Sequence, residues 1–217
     1  MRSPEEFVRA QLEESCRVKH SFSSALVSQI ARLAERITQS LQAGGKVILF
    51  GNGGSAADAQ HIAAEFVVRL SERRPAMAAV ALTVNTSVLT AAANDFGFDQ
   101  VFARQVEALA ARGDVLVALS TSGTSTNVVL GAEAGRSRGA WVAALTGESG
   151  GTLRTHADLL LNVPSQDPQR IQEAHITIGH IVCALVEQSM KAGVKQADAK
   201  GVRATEGLTN PQGSTNR

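Results

Sequence analysis

The chain has 217 residues, 44% of them hydrophobic, and its 21 basic and 20 acidic side chains leave a net charge of +1. This length and composition predict one globular domain, and the balanced charge without a basic block argues against a broad nucleic-acid or membrane surface. No uncharged run approaches the roughly 18 residues of a membrane span, and the charged start lacks the apolar region of a signal peptide. We therefore expect a cytoplasmic protein whose two cysteines, Cys16 and Cys183, are reduced.

Helices and strands alternate along the sequence. Residues 3–42 are predicted as helix, because Ser-Pro-Glu-Glu is a helix start and apolar residues recur at spacings of three and four from Leu26 to Leu41. Strands are predicted from residue 47 and at 78–82, 115–119, 141–145 and 158–163. The helices between and after them are predicted from residue 55 and at 88–93, 99–111, 127–137 and 170–191.

This order predicts an α/β three-layer sandwich with a five-stranded, mostly parallel sheet and long helices at both ends. Residues 1–192 are expected to form a single domain. Residues 193–217 are polar and rich in Gly, Asn, Thr and Gln, so we expect them to form a disordered tail.

One stretch, VILFGNGGSAADAQHIAAE at residues 47–65, combines a strand, a glycine turn and a helix. Free backbone N–H groups at such a helix start stabilise an anionic group. The helix carries Asp58, and one turn later His61 and Glu65, which are four residues apart and share a face. A small phosphorylated or acidic substrate beside reactive groups is therefore suggested. An ordinary turn stays open as the alternative, because GNGGS matches neither nucleotide-binding fingerprint.

A second strand–loop–helix junction, STSGTS at residues 120–125, is rich in hydroxyl groups instead of glycine. Hydroxyls and free N–H groups at a helix N-terminus can bind phosphate oxygens without a formal cation. The alternative is an N-cap cluster in an ordinary turn, but one N-cap needs only one hydroxyl. We favour ligand binding.

The helix predicted at residues 170–191 carries Gln172, Glu173, His175 and His180. His61 and Glu65 form half of a possible zinc site, which a second pair could complete. Spacing alone favours Glu173 over Gln172 as the partner of His180, because seven residues bring side chains closer to one helical stripe than eight do. We interpret His175 as a core histidine, and His20, in a polar stretch, as solvated surface.

Five motifs occur in order: GNGGSAADAQHxxxE, ANDFGF, STSGxSxNV, LTGxxGG and RIQExHxxxxHxxCxLVE. Together they resemble the phosphoheptose isomerases of the sugar isomerase (SIS) fold, over roughly residues 5–192. The resemblance implies a flavodoxin-like parallel sheet and a homotetramer with active sites at subunit interfaces. It also implies conversion of D-sedoheptulose 7-phosphate to D-glycero-D-manno-heptose 7-phosphate, a step toward the activated heptoses of bacterial lipopolysaccharide or related glycans.

The resemblance also implies roles for individual residues. One zinc ion per subunit would be bound by His61, Glu65, Gln172 and His180, and Glu65 and His180 would be the catalytic base and acid. The implied substrate contacts are Asn52, Gly53, Gly54, Ser55, Glu65, Asn94, Asp95, Ser120, Thr121, Ser122, Ser125 and Gln172.

Two other functions stay open at this point. The chain could be a non-catalytic SIS protein of the kind that binds the bacterial replication initiator, although the acid at Glu65 favours an enzyme. It could also isomerise another sugar phosphate, since the motifs concern the phosphate and the C1–C2 end. The apolar helix at 170–191 independently predicts burial against another subunit.

Overall fold

The computed structural model describes residues 2–206 of the chain, with side chains described for residues 2–192. Its sheet has five parallel strands in the order β2-β1-β3-β4-β5, the flavodoxin-like order. The strands are β1 (Val47–Gly51), β2 (Ala79–Ala81), β3 (Val115–Ser120), β4 (Trp141–Thr146) and β5 (Leu159–Asn162). The predicted α/β fold and five-stranded sheet are confirmed, and every strand pair is parallel.

Helices cover both faces of this sheet. The α-helices of the described residues are α1 (Pro4–His20), α2 (Ser24–Gln42), α3 (Gly54–Val67), α4 (Thr86–Phe96), α5 (Val101–Leu109), α6 (Thr126–Ser137) and α7 (Pro168–Glu206). Short 3₁₀ helices occur at Phe98–Gln100 and Thr152–Thr155. No helix in this part of the chain is both long and apolar enough to cross a lipid bilayer.

Alternate residues of each strand face two separate apolar layers. Val47 and Leu49 of β1 pack with α2, α3 and α7, whereas Ile48 and Phe50 pack with α5 and α6. Both layers are buried, so the strands contain continuous apolar runs of the kind found in parallel sheets. This explains why the strands were predicted well from hydrophobicity alone.

The first predicted helix, residues 3–42, is wrong as a single element. It is two helices, because the chain leaves α1 at Ser21 and starts α2 from Ser23, whose hydroxyl accepts the Leu26 N–H at 3.1 Å. The serine-rich sequence SFSS supplies both the end of one helix and the N-cap of the next. His20, the last residue of α1, is exposed as predicted.

The last helix is longer than predicted. It continues to Glu206 instead of ending at Lys191, so the predicted tail begins as helix, and residues 207–217 lie outside the described residues. Residues 192–206 contain no proline, and a glycine inside a helix costs only about 1 kcal/mol relative to alanine. The two glycines there, Gly193 and Gly201, do not stop the helix. The assignment of residues 1–192 to one domain stays a prediction.

A buried ion pair fixes α7 against the end of α3. Glu187 on α7 accepts the Arg74 Nε–H at 3.0 Å and the backbone N–H groups of Leu70, Ser71 and Glu72. Burial raises the pKa of Glu187, but the hydrogen bonds from these backbone N–H groups and from the Ser71 hydroxyl outweigh it and lower the pKa to about 2. Arg74 also donates to the carbonyl oxygen of Glu65, near the C-terminus of α3. The two helices are therefore held in a fixed relative position.

His175 is a core histidine, as predicted. It is fully buried, and its Nε2 lies 3.2 Å from the carbonyl oxygen of Thr146 at the end of β4. Burial lowers the pKa of His175 to about 4, although the hydrogen bond to Thr146 opposes the shift. The imidazole is thus neutral in the folded protein and must take up a proton on unfolding below neutral pH.

We expect this histidine to make the fold less stable in mild acid. The pKa of His175 is lower in the folded state than in the unfolded state. Its contribution to the free energy of unfolding is therefore complete above the unfolded pKa of 6.5 and is lost progressively toward about pH 4. The free energy of unfolding should fall by about 3 kcal/mol over that range. Urea unfolding at several pH values measures this slope. His175→Gln should flatten the slope and His20→Gln should leave it unchanged; equal slopes in all three proteins would contradict the assignment.

Candidate active site

Two helices that are far apart in sequence bring His61, Glu65 and His180 together. His61 Nε2 lies 3.2 Å from Glu65 Oε1 on α3 and 3.0 Å from His180 Nε2 on α7. One ligand atom from each of the three residues lies within 4.8 Å of the others. The His61 side chain is 49% exposed and that of Glu65 19%, so the cluster is open to a ligand and yet partly shielded.

Close contact between α3 and α7 makes this cluster possible. The Gln172 amide packs on Gly54, and Gly179 packs on Ile62. A Cβ at Gly54 would lie 2.6 Å from Gln172 Oε1, and one at Gly179 would lie 2.6 Å from Ile62 Cδ1, so a side chain at either position would displace the end of the neighbouring side chain. The two contacts are eight residues apart on α3 and seven apart on α7, in the same chain direction, so the helices run parallel and place His61 beside His180.

Gln172 and Glu173, the two candidates left by the spacing of this helix, have different neighbours. Gln172 faces α3 through its contact with Gly54. Glu173 instead pairs with Arg170 at 2.5 Å, and Arg170 also donates to the carbonyl oxygen of Gln11 on α1. Glu173 therefore faces α1, and the helix-stripe argument that favoured it did not anticipate this ion pair.

The donor atoms fit a divalent metal ion. Zinc binds histidine nitrogens and carboxylate oxygens at about 2.0–2.2 Å, so neighbouring ligands of a tetrahedral site lie roughly 3.3 Å apart. The observed separations of 3.0 and 3.2 Å match that spacing. Crowding of two imidazole nitrogens and a carboxylate oxygen also leaves lone pairs that a cation would satisfy. His61, Glu65 and His180 can therefore hold a metal ion, and Gln172 lies on the same α3–α7 contact.

The hydroxyl cluster lies at the start of α6. The Ser120 hydroxyl lies 3.1 Å from that of Ser125 and 3.5 Å from that of Ser122. Ser125 is the N-cap residue of α6, yet its side chain makes no capping hydrogen bond. The N-cap alternative therefore does not explain this serine, and its hydroxyl is available to a ligand at the helix N-terminus.

Glycine backbones shape the loop around this cluster. Gly123 has φ +69° and packs against the backbone of Gly150 and Gly151, and a Cβ on Gly123 would collide with the Gly150 carbonyl. This contact gives a physical reason for the glycines at positions 123 and 151, the second of which ends the LTGxxGG motif. Thr121 and Ser122 line a cavity of about 580 Å³ beside this loop.

The glycine turn at the start of α3 is tied to α6 by a pair of amides. Asn52 Nδ2 donates to Asn127 Oδ1 at 2.8 Å, and Asn127 Nδ2 donates to Asn52 Oδ1 at 2.9 Å. Asn127 is 3% exposed and was missed in the sequence, where it appeared only as the first residue of a helix. The Asn-Val pair that ends the STSGxSxNV motif was the signal in the sequence that could have identified Asn127 as a site residue.

The rest of the turn forms the N-terminus of α3. Gly53 is the N-cap residue with φ +55°, a conformation that glycine adopts at little cost, and Gly54 begins the helix. Ser55 is buried and packs below the turn: a Cβ on Gly51 would lie 2.8 Å from the Ser55 Cβ. Both helix N-termini, of α3 and of α6, thus follow adjacent strands of the sheet.

Asn94 and Asp95 lie apart from these residues. They occupy the exposed last turn of α4, where the Asn94 amide donates to Asp95 Oδ1 at 2.8 Å. Asp95 lines a separate cavity beside the edge strand β2, together with Phe96 and Arg104. The structure of one chain therefore does not bring this pair into the His61–His180 cluster or the hydroxyl cluster.

Comparisons with known proteins agree with one another. The family model for the SIS domain matches residues 12–147. A curated phosphoheptose isomerase from Roseiflexus sp. (strain RS-1) is 49% identical over 180 residues, which are 83% of this chain and 91% of that protein.

Solved structures give the same result. The phosphoheptose isomerase from Neisseria gonorrhoeae is 46% identical with a TM-score of 0.80, over 85% of this chain and 98% of that one. The phosphoheptose isomerase from Francisella tularensis is 37% identical with a TM-score of 0.83, over 87% of this chain and 100% of that one.

Proposed function

The chain belongs to the phosphoheptose isomerase family of SIS-domain proteins, and we propose that it converts D-sedoheptulose 7-phosphate to D-glycero-D-manno-heptose 7-phosphate through an enediol. As a member of that family it is an aldose–ketose isomerase. The observation that carries the proposal is the cluster of Glu65 with two histidines, His61 and His180, beside two helix N-termini that suit a phosphate. The product would enter bacterial heptose biosynthesis in the cytoplasm.

Proton transfer between C1 and C2 is the chemistry that this site must catalyse. Glu65 is the proposed base, which removes the proton from C1 of the ketose and returns it to C2. Its Oε1 faces His61, so Oε2 can take the carbon-bound proton. His180 is the proposed acid, which gives a proton to the C2 oxygen and then takes the proton of the C1 hydroxyl to leave the aldehyde. The carbon and oxygen protons therefore balance over the reaction.

We propose zinc as the cofactor of this centre, with His61, Glu65, Gln172 and His180 as its ligands. The ion would polarise the carbonyl group and stabilise negative charge on the two substrate oxygens. The separations of the His and Glu donor atoms support this set, and so does the contact of Gln172 with the first residue of α3. Glu173 is left out because Arg170 already binds it.

The phosphate group is assigned to the hydroxyl cluster. Ser120, Ser122 and Ser125 would donate hydrogen bonds together with Thr121, and the N-terminus of α6 adds its partial positive charge. Asn52, Gly53, Gly54 and Ser55 would line the sugar between phosphate and metal. Asn94 and Asp95 would then contact substrate only if they come from a neighbouring subunit.

Assembly into a homotetramer with shared sites is part of the proposal. Several large apolar residues are more than 40% exposed in the single chain, which is unfavourable for a monomer. They include Phe7, Val8 and Leu12 on α1, Phe96 at the end of α4, Phe98 just after it, and Ile181 on α7. Ile181 directly follows His180, so a partner that covers it would also border the metal centre. Asn94 and Asp95 directly precede the exposed Phe96, which supports their contribution to the site of a neighbouring subunit.

The two rival functions can be separated from this proposal by direct assay. We expect purified protein to convert sedoheptulose 7-phosphate, to act much more slowly on hexulose phosphates, and to lose activity in chelator until zinc is restored. Aldose formation followed by NMR measures all three. Faster turnover of a hexulose phosphate would transfer the proposal to that substrate, and zinc-loaded protein without isomerase turnover would instead support a non-catalytic SIS protein.

Glu65→Gln removes the proposed base but keeps the shape of the side chain. Turnover should fall by about 10²–10⁴, the usual contribution of a general base. The control is Glu133→Gln, which changes an exposed carboxylate on α6 that pairs with His156. Turnover of Glu65→Gln within a few-fold of the control would exclude Glu65 as the base.

Ile181→Arg tests the link between assembly and activity. The charge should weaken the subunit contact, so both the oligomer size and turnover should fall. Light scattering at the assay concentration measures the first and the isomerase assay the second. Ile181→Val keeps an apolar side chain at the same exposed position and serves as the control. Leu185 is less suitable than Ile181, because it packs partly in the chain's own core. A fully active monomeric wild type would contradict the proposal.

A further inference from the structure

Asn127 is buried on α6 and has no role in the reaction proposed above. Its side-chain amide exchanges two hydrogen bonds with that of Asn52, at 2.8 and 2.9 Å. This exchange uses the carbonyl oxygen and one N–H of each amide, and only 3% of Asn127 is exposed. The polar atoms of the Asn127 side chain are thus committed largely to Asn52 instead of to a ligand.

The amide pair joins two helices that lie on opposite faces of the sheet. Ile62 of α3 packs in the apolar layer shared with α2 and α7, whereas Val128 of α6 packs in the layer shared with α5. The strands that precede these helices, β1 and β3, stay in register up to the pair of Gly51 with Leu119. Asn52 directly follows Gly51, so its hydrogen bonds to α6 continue the connection between the two segments beyond the end of β1.

Each of these helices carries one half of the proposed site. Glu65, the proposed base, lies on α3, and α6 begins at the hydroxyl cluster assigned to the phosphate. A sugar bound by its phosphate reaches the base only if its carbon chain matches the distance between the two. Since the amide pair fixes the first turn of α6 against the turn before α3, it also fixes this distance.

We propose that Asn127 is a positioning residue that, through Asn52, sets the distance from the phosphate site to Glu65 and so favours a seven-carbon over a six-carbon ketose phosphate. The inference rests on the proposed function. A hexulose 6-phosphate is one carbon shorter, so its C1 proton lies out of reach of the base while its phosphate is bound. Misplacing a reacting group by about 1 Å can cost about 10²-fold in rate, which is enough to separate the two substrates.

The first test measures kcat and KM of Asn127→Ala on sedoheptulose 7-phosphate and on fructose 6-phosphate. On the heptulose, kcat should fall by about 10²-fold, with KM and inhibition by inorganic phosphate little changed because the hydroxyl cluster is intact. The ratio of kcat/KM for heptulose over hexulose should fall by about tenfold or more. Ser40→Ala removes a buried hydrogen bond to the Gly113 carbonyl at the opposite end of β3, and this control should keep both kcat and the ratio.

Three results would overturn the proposal. A higher KM and weaker phosphate inhibition at unchanged kcat would mean that Asn127 binds the phosphate itself. An unchanged ratio, or an equal change in Ser40→Ala, would leave Asn127 with a role in stability alone. If Asn127→Ala does not fold, Asn127→Asp decides by the same ratio, because it still accepts the Asn52 Nδ2–H but cannot donate in return. Its charge affects both sugar phosphates alike and cancels in the ratio.

The second test asks whether Asn127 acts through Asn52. Asn52→Ala and Asn127→Ala remove the same pair of hydrogen bonds, so the double variant should be no slower than the slower single variant. Losses that multiply in the double variant would show that the two residues act independently and would contradict the proposal. Wild type without turnover would contradict the proposed function and this inference together, whereas an active wild type with multiplying losses contradicts the inference alone.

Discussion

The close parallel contact between α3 and α7 is the constraint on which the site depends. Two glycines, Gly54 and Gly179, allow the helices to approach, and Gly179 lies well inside α7, where glycine costs about 1 kcal/mol relative to alanine. The contact places His180 within 3.0 Å of His61, although 119 residues separate them. The ion pair of Arg74 with Glu187 holds the other end of the same contact, so the register of the two helices cannot slip.

The sheet places the proposed phosphate end of the site by a separate rule. The chain leaves β1 toward β2 on one side and returns to β3 on the other, so β1 and β3 form the switch point of the sheet. Ligands of such sheets bind beyond the carboxyl ends of the strands at this point. The helices that follow these two strands, α3 and α6, begin there, and the amide pair of Asn52 and Asn127 joins their N-termini. A rigid connection therefore links the phosphate end to the helix that carries Glu65.

Local patterns in the sequence predicted more of this structure than long-range ones did. The strands followed from apolar runs, and the pairing of His61 with Glu65 followed from a spacing of four. Helix spacing favoured Glu173 over Gln172 without taking account of Arg170, which binds Glu173 from the same helix. Asn127 was missed because its partner, Asn52, is 75 residues away. The break between α1 and α2 could have been predicted, since Ser23 caps α2 through a local hydrogen bond.

The hydroxyl cluster has a chemical advantage over a cationic phosphate site. The segment from Ser120 to Asn127 contains no lysine or arginine, so a bound phosphate there would rely on hydroxyls, backbone N–H groups and the start of α6. A lysine or arginine in this loop could also pair with a carboxylate of the site and favour its ionised form. Hydroxyls and backbone N–H groups would bind the phosphate oxygens without adding such a charge, so they would leave the positive charge beside Glu65 to the proposed metal ion.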